Sequence, residues 1–156
     1  MTYRIHALPL TPFAPLFALS DATLEGLGAR RMVADSPNSA PCRVSLVDAD
    51  PGDRLILLTH RHLDAPASPY RAEGPIFVRE VATQAELAPD VIPDQLARRL
   101  LSVRVYDAGW MMTEADVVEG PELDARLRTW FSRPETEAVH IHTARRGCYM
   151  AAARRD

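Results

Sequence analysis

Short stretches in which hydrophobic and polar residues alternate recur along the chain and predict a protein built mainly of β-strands. Side chains of a strand point to its two faces in turn, so alternation is typical of a strand with one buried face. A turn rich in proline, glycine and aspartate, residues 48–53, predicts that the strands on either side of it pair as antiparallel neighbours. The predicted strands are residues 3–8, 31–34, 42–48, 53–62, 76–80, 101–106 and 110–118, followed by two strands from residue 139 onward.

Three other segments carry the signals of short helices, which are a capping residue, an N-terminal proline or one apolar face. Residues 9–15 have a proline at every third position, which favours an extended segment. The predicted helices are residues 20–27, capped by Ser20 and ended by Gly28, residues 93–101, which begin at Pro93, and residues 120–131, which begin with Gly-Pro.

Together these elements predict one α+β domain over residues 1–156. We expect a mainly antiparallel, strongly curved sheet with two or three short helices. A chain of 156 residues can bury a sizeable core without disulfides or metal. No internal repeat, linker or low-complexity segment divides it.

Composition removes several classes of chemistry. All 18 basic residues are arginine, whereas Schiff-base catalysis, pyridoxal phosphate attachment and the phosphate-binding P-loop all need a lysine. Gly26 and Gly28 do not extend to the glycine pattern of dinucleotide sites, so no nucleotide motif is present. A net charge of −3 gives no reason to expect nucleic acid or an anionic membrane as a partner.

The two cysteines, Cys42 and Cys148, lack the spacing of a zinc or redox clip and are too few for a disulfide scaffold. We therefore expect a reduced, cytoplasmic protein. No apolar run is long enough to span a membrane, and prolines interrupt the apolar N-terminal stretch, so neither a membrane anchor nor export is expected.

Four of the five histidines form two pairs with one residue between them. His60 and His62 lie on one predicted strand, and His140 and His142 lie on another. Each pair should project from one face of its strand. If the two strands are neighbours, four imidazoles could hold zinc, iron or copper. If they are not, the pairs are separate polar positions.

The turn between the last two predicted strands decides which residue lies opposite His142. If a three-residue turn ends at Gly147 in the left-handed conformation, Met150 lies opposite His142 and Cys148 joins the histidine face. A two-residue turn would instead place Tyr149 opposite His142 and move Cys148 to the other face. Glycine adopts a positive φ without strain, which favours the first register.

Several arginines lie where they could hold an anion. Arg43 follows Cys42 at the start of a predicted strand, Tyr70 and Arg71 lie in a loop shaped by prolines and a glycine, and Arg79 lies on the next strand. Such side chains bind carboxylate or phosphate through charge-assisted hydrogen bonds. Alternatively, Tyr70 packs in the core, both loop and strand arginines face solvent, and Cys42 is a buried structural residue.

Three stretches together resemble an uncharacterised bacterial family of about this length, classed as a domain of unknown function. They are residues 41–58 (PCRVSLVDADPGDRLILL), 68–80 (SPYRAEGPIFVRE) and 139–151 (VHIHTARRGCYMA). The resemblance implies a single-domain bacterial protein and supplies no catalytic residues.

We expect a small-molecule binding protein or enzyme whose histidine, cysteine and arginine side chains form one pocket for an anionic ligand. In an enzyme, His142 would be the general base and Cys148 or Cys42 the nucleophile, while the arginines hold the substrate. Two alternatives stay open. One is a non-catalytic interaction module that self-associates as a homo-oligomer, and the other is a protein that binds a divalent metal through the two histidine pairs.

Overall fold

The computed structural model describes residues 1–156 and contains eight strands and three α-helices. Two short 3-10 helices, Ala14–Ala18 and Gly120–Glu122, complete the regular structure. The strands are β1 (Tyr3–His6), β2 (Arg30–Val33), β3 (Arg54–Leu63), β4 (Ala72–Arg79), β5 (Leu100–Tyr106), β6 (Met112–Glu119), β7 (Ala138–Thr143) and β8 (Tyr149–Arg155). The helices are α1 (Asp21–Gly26), α2 (Asp94–Ala97) and α3 (Leu123–Phe131).

The strands form two antiparallel sheets. One has five strands in the order β1-β8-β7-β5-β6, and the other has three in the order β2-β3-β4. All paired strands within them are antiparallel, which confirms the predicted α+β class with mainly antiparallel strands. The predicted strong curvature is not confirmed, because the strands divide between two sheets and neither sheet closes on itself.

The main core lies between α3 and one face of the five-stranded sheet. Alternate residues of the sheet, such as Val103 and Ile141, are fully buried there. The apolar face of α3 covers them with Leu127, Trp130 and Phe131. Burial of such large apolar side chains is the main stabilising contribution of this layer.

The opposite face of the same sheet carries polar residues. Arg104 of β5 pairs with His140 of β7, and Ser102 pairs with His142, so these four side chains project from the face that α3 does not cover. His62 of β3 reaches this face from the three-stranded sheet, with its ring centroid 4.9 Å from that of His142. His62, His140 and His142 therefore meet between the two sheets.

The predicted helices at residues 20–27 and 120–131 are confirmed. Ser20 caps α1 by accepting a hydrogen bond from the Thr23 N–H at 3.2 Å, and Gly28 ends it with a φ of +75°. Gly120 is required before α3 because a Cβ at this position would collide with the carbonyl oxygen of Ala97. None of the helices has the length and hydrophobicity to cross a bilayer.

Three sequence predictions of local structure are wrong. Residues 42–48 form a tight loop rather than a strand, because Leu46 adopts a φ of +51° and its N–H binds the Cys42 carbonyl. The alternation there reflects apolar residues of one loop that enter two different cores. Residues 9–15, predicted to run extended, instead enter a turn at 11–13 and the 3-10 helix Ala14–Ala18. The helix predicted at 93–101 is shorter, Asp94–Ala97.

Candidate functional site

Three imidazole rings converge between the two sheets. His62, His140 and His142 each offer one ring nitrogen, and these three nitrogens all lie within 4.8 Å of one another. The ring centroids of His62 and His140 are 6.1 Å apart. His140 and His142 are almost completely buried, and His62 is half-buried. The structure thus brings together both histidines of one predicted pair, His140 and His142, and one histidine of the other, His62.

Two β-bulges shape the histidine cluster. On β3, Arg61 pairs with Glu73 and Leu63 pairs with Ala72, so His62 is the extra residue of a bulge. A second bulge lies between β7 and β8, beside His142. Bulges re-aim side chains and are common next to functional sites. The bulge of β3 therefore lies at His62, whose side chain contacts the five-stranded sheet.

A backbone carbonyl fixes the orientation of His142. Its Nδ1 lies 2.9 Å from the carbonyl oxygen of Gly147, and only a protonated Nδ1 can donate to that oxygen. In the neutral ring, the Nε2 of His142 is therefore unprotonated and carries a lone pair. This Nε2 is buried without a hydrogen-bond partner, as are the Nδ1 atoms of His62 and His140.

The three imidazoles are neutral at physiological pH. Burial lowers the pKa of His62 to about 4 and the pKa values of His140 and His142 to about 3. The positive charge of Arg104 lowers all three further, and Arg154 adds to the effect on His140. Neutral imidazole is the form that binds metal ions.

A pocket of about 270 Å³ adjoins the cluster, and its wall includes His62 and His140. Tyr149 forms part of the wall and stacks on His62, with ring centroids 5.3 Å apart and planes inclined by 5°. Trp110 and Arg154 lie on the pocket as well, with the guanidinium 5.4 Å from the indole ring. The pocket therefore borders two of the three clustered histidines, His62 and His140, but not His142.

His60 lies outside the cluster. Its ring is 6.0 Å from Phe13 and 6.2 Å from Tyr149, and its nitrogens are not among those that converge. Burial lowers its pKa, so it is a neutral ring packed against aromatic neighbours. The four-histidine ligand set predicted from the sequence is therefore reduced to three residues that meet.

The final hairpin corrects the favoured register. Gly147 has the predicted left-handed conformation, with a φ of +76°. The residue opposite His142 is nevertheless Tyr149, as the alternative register required, and Met150 is the extra residue of the bulge. The bulge that follows the turn changes the residue opposite His142 from Met150 to Tyr149. The spacing of residues in the sequence does not reveal this bulge. Cys148 is not part of the nitrogen cluster.

Arg43 is buried outside the histidine cluster, with only 2% of its surface exposed, and backbone carbonyls surround its guanidinium group. Its Nε donates to the Tyr149 carbonyl at 2.7 Å, and its Nη1 donates to the Pro41 carbonyl. Burial lowers the pKa of Arg43 to about 10, while charge on Cys148 or Cys42 would oppose that shift. Arg43 thus connects the loop that carries Cys42 to β8, and neither predicted cysteine lines the histidine pocket.

The remaining predicted anion ligands do not converge. Arg79 pairs with Asp53 at 2.7 Å, and Arg71 lies 3.4 Å from a carboxylate oxygen of Asp64. Tyr70 is partly exposed, and its ring packs edge-on against Tyr106 at 6.2 Å. One pocket containing all the predicted histidine, cysteine and arginine residues is not formed.

Sequence reasoning missed three residues around the histidines, namely Trp110, Arg104 and Arg154. Arg104 pairs with His140 across β5 and β7, so the alternation of β5 was the available signal for its face. Trp110 adopts a φ of +59° directly after the turn at Asp107, whose Oδ1 accepts the Gly109 and Met111 N–H groups. Nothing in the local sequence indicates that conformation for a tryptophan.

Comparison with known proteins gives a family and no function. No curated protein and no solved structure matches the chain. One family model, described as "Protein of unknown function (DUF1203)", matches residues 39–155, a range that contains all three clustered histidines. The chain therefore belongs to the DUF1203 family.

Proposed function

We propose that the protein is a metalloprotein that binds one divalent transition-metal ion through His62, His140 and His142. One observation carries the proposal. Three neutral imidazoles each bury a nitrogen that has no hydrogen-bond partner, and the rings offer nitrogens within 4.8 Å of one another. An unsatisfied buried polar atom costs about 1–3 kcal/mol, and a shared metal ion would satisfy all three.

The donor set fits zinc and similar ions. Three nitrogens bound to one tetrahedral zinc ion at about 2.1 Å lie about 3.4 Å apart, so nitrogens that lie within 4.8 Å of one another need to approach by at most about 1.4 Å. The hydrogen bond from His142 to the Gly147 carbonyl is the support that metal-binding histidines usually have. Imidazole ligands suit zinc, copper, iron and nickel, whereas magnesium and calcium prefer oxygen.

Three protein ligands are typical of a catalytic metal site rather than a structural one, which has four. A bound ion of this kind lowers the pKa of a coordinated water molecule to near neutrality. The chain itself supplies the surroundings. Tyr149 stacks on the ring of His62, and a pocket of about 270 Å³ that could hold a small substrate borders His62 and His140. We therefore propose a reaction that uses activated water, such as hydrolysis or hydration.

Metal analysis of protein purified without a histidine tag tests the proposal. We expect one equivalent of zinc, or of cobalt(II) after exchange, and loss of binding in His62→Ala and His142→Ala. His60→Ala is the matched control, because His60 lies on the same strand as His62 but outside the cluster. Circular dichroism confirms that each variant is folded. Absence of stoichiometric metal in the wild type, or equal binding by His62→Ala, would overturn the proposal.

The setting of the protein is part of the proposal. Both cysteines are free, which supports a reducing cytoplasmic location. The resemblance noted above favours a bacterial source. Self-association as a homo-oligomer remains a prediction, and sedimentation at several protein concentrations would measure it.

A further inference from the structure

The wall of the pocket beside the histidines has one arginine and no uncommitted carboxylate, and a second arginine lies on the neighbouring sheet face. Arg154 lies on the pocket wall with His62 and His140. Arg104 projects from the same sheet face as His140 and has no carboxylate partner. The one acidic residue of the wall, Asp64, lies within 3.6 Å of the guanidinium groups of two arginines.

This excess of positive charge favours the binding of an anion. A divalent ion held by three neutral imidazoles keeps its full charge, and the two arginines add to it. Like charges in a partly buried site repel each other strongly unless an opposite charge offsets the repulsion. Arg154 is bound only weakly elsewhere, since its contact with Glu137 is 3.5 Å long and both side chains are nearly half exposed.

The rest of the wall is apolar and aromatic. It includes Trp110, Tyr149, Leu63 and Ala152. Trp110 is held in place, because its carbonyl accepts a hydrogen bond from the Ser68 hydroxyl at 2.7 Å. A volume of about 270 Å³ is smaller than that of typical drug-sized sites and restricts the ligand to a small molecule.

We propose that this pocket binds a small monocarboxylate with an apolar or aromatic body, whose carboxylate faces the histidine centre and pairs with Arg154. The apolar body contacts Trp110 and Tyr149. This inference deepens the proposed function and relies on it for the metal, while Arg154 and the apolar wall supply the ligand selectivity independently of the metal.

Benzoate is a suitable probe, and benzamide is its neutral control with nearly the same shape. Benzoate added to the cobalt(II)-loaded protein should change the visible absorption of cobalt, and benzamide should not. Arg154→Gln should weaken benzoate binding at least about tenfold, because charge-assisted hydrogen bonds are the strong ones. Arg30→Gln, at an exposed arginine of the β2 edge strand, should bind benzoate as the wild type does.

Binding of the two ligands should also be coupled. If benzoate and cobalt(II) stabilise each other, benzoate raises the cobalt affinity by the same factor by which cobalt raises the benzoate affinity. Cobalt binding with no benzoate effect on spectrum or affinity would overturn the carboxylate proposal and leave the metal centre intact. Benzoate binding that needs Arg154 in a protein that binds no metal would support the ligand class and overturn the proposed function. Equal binding of benzoate and inorganic phosphate would overturn the apolar selectivity.

Discussion

At the scale of single residues, the hydrogen-bond partners of each side chain decide which atoms are free for chemistry. The Gly147 carbonyl engages Nδ1 of His142 and leaves Nε2 available. The opposite holds at Cys42, whose Sγ accepts N–H groups from Ser45 at 3.4 Å and from Arg79 at 3.3 Å. The sequence placed His142 and Cys42 among the candidate site residues, but it could not show that the sulfur of Cys42 is enclosed by backbone N–H groups.

The cysteines should therefore differ in reactivity. Cys42 is completely buried and Cys148 is partly exposed. Because a thiol reagent reaches only accessible sulfur, we expect one thiol per chain to react in the native protein and two after unfolding. Thiol titration with a chromogenic disulfide measures both numbers. In Cys148→Ser no native thiol should react, and two equally reactive thiols in the native wild type would contradict this arrangement.

At the scale of elements, the alternation of apolar and polar residues predicted strands well where one face of the strand is buried along its whole length. Strand β5 and the final hairpin are of this kind, because one face always meets α3. Residues 42–48 failed for a definite reason. Their apolar side chains enter two separate cores. Apolar and polar residues therefore alternate in this loop although it is not a strand of either sheet. The bulges that place His62 and Tyr149 escape prediction because they depend on the pairing strand.

The attachment of β1 to α3 provides an element-scale prediction. The Tyr3 hydroxyl donates to Asp124 Oδ1 at 2.6 Å. Tyr3→Phe should lower the free energy of unfolding at pH 7 by about 1 kcal/mol, a modest loss because the side chain of Asp124 is partly exposed to solvent. Tyr70→Phe is the matched control, and its stability should equal that of the wild type. Urea unfolding measures both changes.

The effect of Tyr3→Phe should depend on pH in one direction. Hydrogen bonds from Arg128 and then Tyr3 lower the pKa of Asp124. A lowered carboxyl pKa contributes stability above the unfolded value of about 3.9, and that contribution is lost as pH falls through the folded value. The difference between wild type and Tyr3→Phe should therefore be full at pH 7 and shrink below about pH 4. A difference that grows in acid would contradict the hydrogen bond to the charged carboxylate.

At the scale of the whole molecule, the candidate site exists only because two sheets face each other. The sequence placed His140 and His142 on one strand face, and the structure agrees. It could not show that β3 approaches that face, since β2, β3 and β4 form a sheet of their own. Contacts between sheets are set by packing of distant segments, which leaves no local pattern. The pocket residues Trp110 and Arg154 were missed for other reasons: the sequence does not indicate the positive φ of Trp110, and Arg154 reaches the histidine face through the register of β8 on β7.

Anomalous diffraction at the zinc absorption edge, from crystals of the untagged protein grown with one equivalent of zinc, tests the central claim most directly. We expect a single strong peak between the two sheets, about 2.1 Å from one nitrogen of each of His62, His140 and His142. A map without a peak at that position, or with the zinc bound at His60 instead, would contradict the three-histidine centre.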